Sequence, residues 1–449
     1  MAGARHFVGV CGAGMSALAQ HAVMGGAAVT GSDRLLDRGE TGETLEGLKK
    51  LGVAVFPQDG SGLGFSSAEC VVSTAIEADN PDLMRAKALG VPVVHRADAL
   101  AREVAAGDCV AVAGTSGKST VAAMVFEVML HAGRDPALIT GAPVRRLADK
   151  GLLGNAWRGK GPLVIEADES DGTLPKYAPR FGLVLNIGKD HKEVPEVLAL
   201  FSAFAERCGR AVVCADQPLL TPLVRATSYG FLAGSLRGTE LAFDGRSCGF
   251  TLRGTRFWLA HPGRHNAENA LAAAAVCLEA GVPLEVSAAA LRTFSGVARR
   301  FERVGAAGGI EVVDDYAHNP DKVRAVLAAA KARAARVLVL FQPHGFAPTR
   351  FLRAEFVEAF ADALGPEDLL WVLDIYYAGG TAAKDIGAKD IAGPVAARGR
   401  RARWGPRETA ADEAAAAARP GDLVLVLGAR DPGLPGYARG LLRRLEAKG

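Results

Sequence analysis

The sequence predicts an α/β chain of three successive sheet-and-helix blocks, and three observations carry that prediction. Apolar strand-like runs alternate with helical segments from one end to the other, the pattern that builds parallel sheets flanked by helices. The 449 residues exceed what one hydrophobic core serves and suit about three domains. Two glycine-rich turns each join an apolar strand to a helix, and open α/β sheets collect ligands beyond such strand ends. The blocks fall at 1–103, 104–298 and 299–449: a Rossmann-like domain, a central phosphate-loop domain and a second Rossmann-like α/β domain.

In the first block the strand Arg5–Val10 runs into Gly9-Val10-Cys11-Gly12-Ala13-Gly14 and a helix through Met15 to Met24. A strand Ala27–Thr30 then ends in Gly31-Ser32-Asp33, and apolar strands follow at Cys70–Ser73 and Val91–Val94. The spacing G-x-x-G-x-G differs from the dinucleotide pattern G-x-G-x-x-G, although Asp33 lies about 20 residues on, as a ribose ligand would. A nicotinamide dinucleotide, a nucleotide diphosphate such as UDP and a purely structural tight turn all remain open for this segment.

The second block opens on Val110-Ala111-Val112-Ala113-Gly114-Thr115-Ser116-Gly117-Lys118-Ser119-Thr120: an apolar strand, a glycine turn and a helix beginning Lys-Ser-Thr. Backbone N–H groups in such a turn converge on an anion, Lys118 adds a point charge, and the Ser119 hydroxyl can ligate Mg²⁺. A nucleoside triphosphate fits this chemistry, even though Val112 stands where the first glycine of G-x-x-x-x-G-K-[ST] falls. The strands Gly161–Glu166 and Phe181–Ile187 also end in polar residues. Glu166-Ala167-Asp168-Glu169-Ser170-Asp171 crowds four carboxylates, a repulsive set unless a cation or donors sit among them. The alternative is a solvated turn after an edge strand. Asn186-Ile187-Gly188-Lys189-Asp190-His191 ends the next strand in the same way, with His191 either a second metal ligand or a structural histidine. Residues 228–260 read as a hairpin excursion, and His265-Asn266-Ala267-Glu268-Asn269 precedes an alanine helix stopped at Gly281.

The third block carries strands at Ile310–Asp314, Val337–Phe341, Leu369–Leu373 and Leu423–Leu427. Asp314-Asp315-Tyr316-Ala317-His318-Asn319-Pro320 and Gln342-Pro343-His344 end two of them, and capping or turn formation is the bland reading of each. The alanine tract at 413–418 reads as helix.

Composition narrows the class. A formal charge of +3 provides no basic stripe, so no nucleic-acid partner is expected. The seven cysteines lack C-x-x-C spacing, which speaks for a reducing compartment rather than a disulfide framework or zinc knuckle. With no signal-like opening and no apolar run of about 18 residues, a cytoplasmic, non-membrane protein is expected.

Together these segments resemble the ATP-dependent Mur ligases, most closely the members that add L-alanine. The resemblance covers nearly the whole chain. It rests on His6 to Ser16, Gly31-Ser32-Asp33, Ser73-Thr74-Ala75-Ile76 with Asp79-Asn80-Pro81, the phosphate loop, Glu166 to Asp171, and Asp190-His191. Gly263-Arg264-His265-Asn266 with Asn269, Phe294 to Phe301, Asp314 to Pro320 and Phe341-Gln342-Pro343-His344 complete it. It implies ATP and Mg²⁺ as cofactors, and as partners an amino acid and the carboxylate of a UDP-sugar, activated as an acyl phosphate, in a monomer or homodimer. By the same resemblance Lys118, Glu166 and His191 are catalytic, with Ser119, Glu166 and His191 around Mg²⁺. Gly114 to Thr120, Asn269, Arg300, Asp315 and His318 would bind ATP. Gly12, Gly14, Met15, Ser16, Asp33, Ser73, Thr74 and Asn80 would face the UDP-sugar, and His344 and Arg350 the amino acid.

Departures from the family pattern fall mainly in the third block. Ser116 replaces a common histidine in the phosphate loop, and Gly345 and Pro348 stand where an arginine pair suited to a carboxylate is expected, leaving Arg350 as the nearby cation. Ala378-Gly379-Gly380 lacks an expected acidic residue, Gly428-Ala429-Arg430-Asp431 replaces a Gly-Ala-Gly-Asp turn, and no position is assigned to a carbamylated lysine. A ligase with another amine or carboxylate, such as a preformed peptide, and a non-catalytic nucleotide-binding relative are the rival readings.

Overall fold

The computed structural model describes residues 3–39, 42–169, 172–188, 193–224, 227–377 and 383–448. They form two compact units: Met1–Leu241 with Gly249–Leu259 and Ala267–Val297, and Ala298–Gly449 with Ala242–Cys248 and Ala260–Asn266.

The first unit contains two sheets. Strands β1 (Ala4–Val8), β2 (Val29–Ser32), β3 (Ala54–Phe56), β4 (Ser67–Val72) and β5 (Val93–His95) make an all-parallel sheet in the order β3-β2-β1-β4-β5. Order reverses around β1, so the crevice beyond its carboxyl end is a natural ligand position, and the first glycine turn occupies it. His6 on β1 is fully buried and bonds Thr30 Oγ1 through Nδ1 at 2.8 Å. Burial pushes its imidazole down to about 4, so it is neutral near pH 7.

The second sheet has ten strands: β6 (Cys109–Ala113), β7 (Ala137–Ile139), β8 (Ala156–Trp157), β9 (Leu163–Glu166), β10 (Phe181–Val184), β11 (Arg210–Cys214), β12 (Thr227–Gly230), β13 (Leu236–Phe243), β14 (Cys248–Leu252) and β15 (Thr255–Leu259). Their order is β15-β14-β13-β12-β11-β10-β6-β9-β7-β8. β6 pairs in parallel with β10 on one side and β9 on the other, and all five of its residues are buried. That double burial explains its unbroken apolar run, and each valine contributes roughly 1.5–3 kcal/mol. The helix Lys118–His131 behind it is buried from Ser119 to Met129 and mostly apolar, its buried Glu127 being paired with Arg146 Nε at 2.7 Å.

In the second unit β16 (Glu302–Ala307), β17 (Ile310–Asp315), β18 (Val337–Gln342), β19 (Leu369–Leu373), β20 (Arg401–Gly405) and β21 (Leu423–Gly428) assemble as β16-β17-β21-β18-β19-β20, parallel except for β16.

The α/β class and its parallel sheets match the expectation. Several details differ. The helix expected after Asn269 begins earlier, at Arg264, so Asn269 lies within it. The excursion at 228–260 supplies four strands to the large sheet rather than a separate hairpin. Short or exposed strands gave no sequence signal: β7 and β8 have three and two residues, and β20 is a largely exposed edge strand with two arginines. All seven cysteines are free, and among the described residues no helix is long and apolar enough to cross a membrane.

Candidate active site

The carboxyl ends of β6, β7, β9 and β10 converge on the phosphate loop. Gly114 has φ +146, and a Cβ there would lie 2.8 Å from Leu185 Cβ. Gly117 caps the following helix at φ +87, where a Cβ would approach Asn269 Oδ1 to 2.6 Å. Only glycine satisfies both the left-handed backbone and the close approach. Asn269 therefore borders the loop through the fold itself.

Asn186, just past β10, clamps the loop from outside. Its Oδ1 accepts the Ser116 N–H at 2.8 Å and its Nδ2 donates to the Ser116 carbonyl at 3.0 Å. Thr115 Oγ1 accepts the Gly188 N–H at 3.0 Å, which ties the same two segments again. Ser119 and Thr120 begin the helix as buried hydroxyls.

The carboxylates of the acidic cluster divide their work. Three donors converge on Glu166 Oε2: Ser119 Oγ at 2.9 Å, Thr140 Oγ1 at 3.1 Å and the Gly141 N–H at 2.8 Å. Lys118 Nζ donates to Glu169 Oε2 at 2.7 Å and to the Gly114 carbonyl at 2.8 Å, with Asp168 Oδ1 at 3.6 Å. Burial would push the Lys118 ammonium down, but Glu169, Asp168 and Glu166 outweigh it and hold it above its ordinary value. Burial raises Glu169, and Lys118 offsets part of that rise. Lys118 is thus a charged, preorganised cation at the loop. Ser119 Oγ and Glu166 are adjacent oxygen donors, the set a hard divalent cation takes. Ser170, Asp171, Lys189, Asp190 and His191 lie outside the described residues.

The first glycine turn carries less side-chain chemistry. Gly12 caps the helix Ala13–Met24 in an extended conformation. A Cβ on Gly14 would lie 2.9 Å from Arg96 Nη1, so this guanidinium borders the helix's first turn. Met15 and Ser16 are buried, and the Ser16 N–H donates to the Gly12 carbonyl at 2.7 Å, which leaves the Met15 backbone amide rather than either side chain for a ligand. Asp33 accepts the N–H groups of Cys11 at 2.8 Å and Leu35 at 3.1 Å. Ser73 Oγ accepts the Ala75 N–H at 3.4 Å, and Thr74 beside it is exposed. Asn80 caps the Pro81–Ala88 helix and donates to Gln58 Oε1 at 3.0 Å.

In the second unit, Asp315 accepts the N–H groups of Phe301 at 2.6 Å and Ala317 at 2.7 Å, and burial raises its carboxyl. Arg299 grips Asp314 at 3.0 Å, yet burial still pushes that acid up to about 6. Arg300 lies 5.2 Å from the Tyr316 ring centroid. His318 packs edge-on against Tyr316 and against His344, with centroids 5.5 and 5.3 Å apart, and burial drives it well below its usual range. Gly345 has φ +68, so the backbone where an arginine is expected is of a kind arginine adopts only under strain. Arg350 is engaged by the Asp385 carboxylate and by the Ala383 carbonyl at 3.0 Å. Arg430 holds φ +61, which explains why glycine is the usual residue of that turn. Ala378-Gly379-Gly380 lies outside the described residues.

Sequence reasoning missed Thr140 and Gly141, the Asn186 clamp, the pairing of Lys118 with Glu169, and Arg96. Polar residues directly after the apolar run Ala137–Ile139 were the one available signal for the first two.

A doubly wound sheet whose switch point carries a glycine loop, a half-buried lysine and acidic strand ends defines a phosphate-loop enzyme acting on a nucleoside triphosphate. The comparisons make the class specific. Residues 5–107 match the Mur ligase family catalytic domain, 112–277 the Mur ligase middle domain, and 299–430 the Mur ligase glutamate ligase domain. The UDP-N-acetylmuramate–L-alanine ligase of Anaeromyxobacter dehalogenans is 38% identical over 95% of this chain and 94% of its own. The ligase of that name from Arthrobacter is 40% identical over 88% and 86%. The crystal structure of UDP-N-acetylmuramate–alanine ligase from Thermotoga maritima superposes over all of both chains with a TM-score of 0.83 at 27% identity. The chain belongs to the Mur ligase family, and is an ATP-dependent ligase that forms an amide bond.

Proposed function

We propose that this enzyme joins L-alanine to the carboxylate of UDP-N-acetylmuramate through an acyl phosphate, in the synthesis of peptidoglycan precursors in the cytoplasm, as a monomer or homodimer. The observation that carries this reading is the 38% likeness to an L-alanine ligase over 95% of the chain, a span that takes in all three blocks.

The residues support a division of labour. Loop amides from Gly114 to Thr120 cradle the phosphates, and Lys118 shields the β/γ oxygens as the sugar carboxylate attacks the γ-phosphorus in line. Ser119 and Glu166, with His191, would hold Mg²⁺, which supplies neutralisation of the charge on the transferring group. Asn269, Arg300, Asp315 and His318 are assigned to ATP. Gly12, Gly14, Met15, Ser16, Asp33, Ser73, Thr74 and Asn80 are assigned to the UDP-sugar, with the backbone amide rather than the side chain of Met15 doing the contacting. His344 and Arg350 are assigned to the amino acid, whose amine displaces phosphate from the acyl phosphate. Positioning and electrostatic shielding supply most of the rate.

A second amine stays in view because Arg350 is engaged by Asp385 and Gly345 offers no side chain. The test is direct: purified enzyme, ATP, Mg²⁺ and UDP-N-acetylmuramate with each amino acid or a preformed peptide, scored by ADP release and product mass. Amide product with L-alanine above the other acceptors supports the reading. Product only with another acceptor replaces the amine, and no product with any acceptor overturns the sugar assignment.

A further inference from the structure

The helix Ala13–Met24 buries Met15, Ala17, Leu18, Ala19 and Ala22, small or flexible apolar side chains, together with the polar Ser16, Gln20 and His21. Small apolar side chains pack nearly as well after a slide or rotation, so hydrophobic contact alone fixes such a helix's register weakly. A buried polar contact removes that degeneracy, since any other register strands donors without partners.

Asn155 provides that contact from the turn ahead of β8. Its Nδ2 donates to the Ala13 carbonyl and to Ser16 Oγ, both at 3.0 Å, and its Oδ1 accepts from Gln20 Nε2 at 2.7 Å. Gln20 Nε2 also donates to the Ser16 carbonyl at 3.0 Å. Asn155, Ser16 and Gln20 are 6%, 1% and 0% exposed, so no water competes for these bonds. The Asn155 backbone reaches the other way. Its carbonyl accepts the Thr140 N–H at 3.0 Å, and Thr140 Oγ1 with the Gly141 N–H holds Glu166 Oε2. One residue therefore joins the first turn of the helix that follows the first glycine turn to the carboxylate that faces Ser119.

We propose that Asn155 is a positioning residue that keys the sugar-nucleotide helix to the phosphate-transfer carboxylate, so that the acceptor acid and the γ-phosphate share one register. This rests on the function proposed above, which puts the two substrates at those two places. Asn155 touches neither substrate; it sets the distance between the groups that do.

The test compares Asn155→Ala and Asn155→Asp with the parent and with Leu220→Ala, a core truncation elsewhere in the first unit that lowers stability alone. Asn155→Asp keeps the acceptor for Gln20 and loses both donors, so it should follow Asn155→Ala. Amide formation should fall about 100-fold, the effect of a misplacement near 1 Å, with KM for ATP within about twofold and more ADP released per amide. Leu220→Ala should lower the melting temperature and leave the ADP-to-amide ratio unchanged. Unchanged turnover and ratio in Asn155→Ala, or the same change in Leu220→Ala, overturn the proposal. Hydrogen exchange gives a readout independent of the acceptor. A non-hydrolysable ATP analogue should slow exchange at the amides of Ala17–Ala22 in the parent and not in Asn155→Ala. If the parent forms no amide, the substrate reading fails on its own, and equal protection in parent and variant then overturns the role of Asn155.

Discussion

The carboxyl ends of the ten-stranded and six-stranded sheets are finished differently. Around the phosphate loop, polar groups converge: Asn186 holds Ser116, Ser119 meets Glu166, and Lys118 meets Glu169. At the end of β18 Arg407 meets Gln342 Oε1 at 2.8 Å, but beyond it Arg350 turns to Asp385 and Lys384 to the Tyr377 ring at 5.2 Å, while Gly345 takes a backbone arginine would strain. Phosphoryl transfer makes the same demand whatever the acceptor, which suits a loop that has Lys118 and Ser119 beside Glu166 even where Ser116 replaces a common histidine. Amine recognition varies with the acceptor, and the segment proposed for it has Gly345 and Pro348 where an arginine pair is expected.

Removing Lys118 is the strongest way to sharpen that contrast. Lys118→Ala should lower ADP release about 1000-fold. Because it also strands the buried Glu169 carboxylate, the pair Lys118→Ala with Glu169→Gln separates catalysis from folding: the double variant should recover stability and stay inactive. Activity in the double variant would dissolve the claim that this end of the sheet does the phosphate chemistry.

Acid should act on His6 and on Asp314 with opposite sign. His6 is depressed to about 4 when folded, so its contribution is full above about 6.5 and lost as pH falls toward 4. Asp314 is raised to about 6, so its contribution is full below its ordinary value of 3.8 and lost as pH rises through 6. At 1.36 kcal/mol per unit each effect reaches about 3 kcal/mol. Hydrogen exchange corrected for intrinsic rate should show β1 weakening and β17 strengthening between pH 6.5 and 4.5, with the slopes abolished in His6→Gln and Asp314→Asn. Slopes of the same sign would refute the contrast.

Asn186→Ala removes both bonds to Ser116 and should raise KM for ATP about tenfold, with KM for L-alanine unchanged. The smallest effect belongs to the amine side. Arg350→Ala should raise KM for L-alanine about fivefold, and Asp385→Ala, which releases the guanidinium, should lower it about twofold. A loss of 100-fold in Arg350→Ala would mean that the two sheet ends are equally committed to their substrates.

The sequence disclosed what local chemistry encodes. The buried run Cys109–Ala113 followed by Gly114 and Gly117 announced both a central strand and a phosphate turn, and Leu369–Leu373 matched its strand residue for residue. Exposed edges such as Arg401–Gly405 carry no apolar period, and a three-residue strand such as Ala137–Ile139 is too short to show one, which hid Thr140 and Gly141. Partnerships across long separations were also invisible: Gln20 and Asn155 stand 135 residues apart, and nothing in either segment names the other. Asp33 and Asn80 were read as ligand contacts, and the fold adds capping roles that their residue types also suit.

The most direct test follows oxygen. UDP-N-acetylmuramate labelled with ¹⁸O in its carboxylate, turned over with ATP, Mg²⁺ and L-alanine, should deliver one labelled oxygen to the released orthophosphate for each amide formed. Amide formation with unlabelled phosphate would contradict activation of that acid as an acyl phosphate.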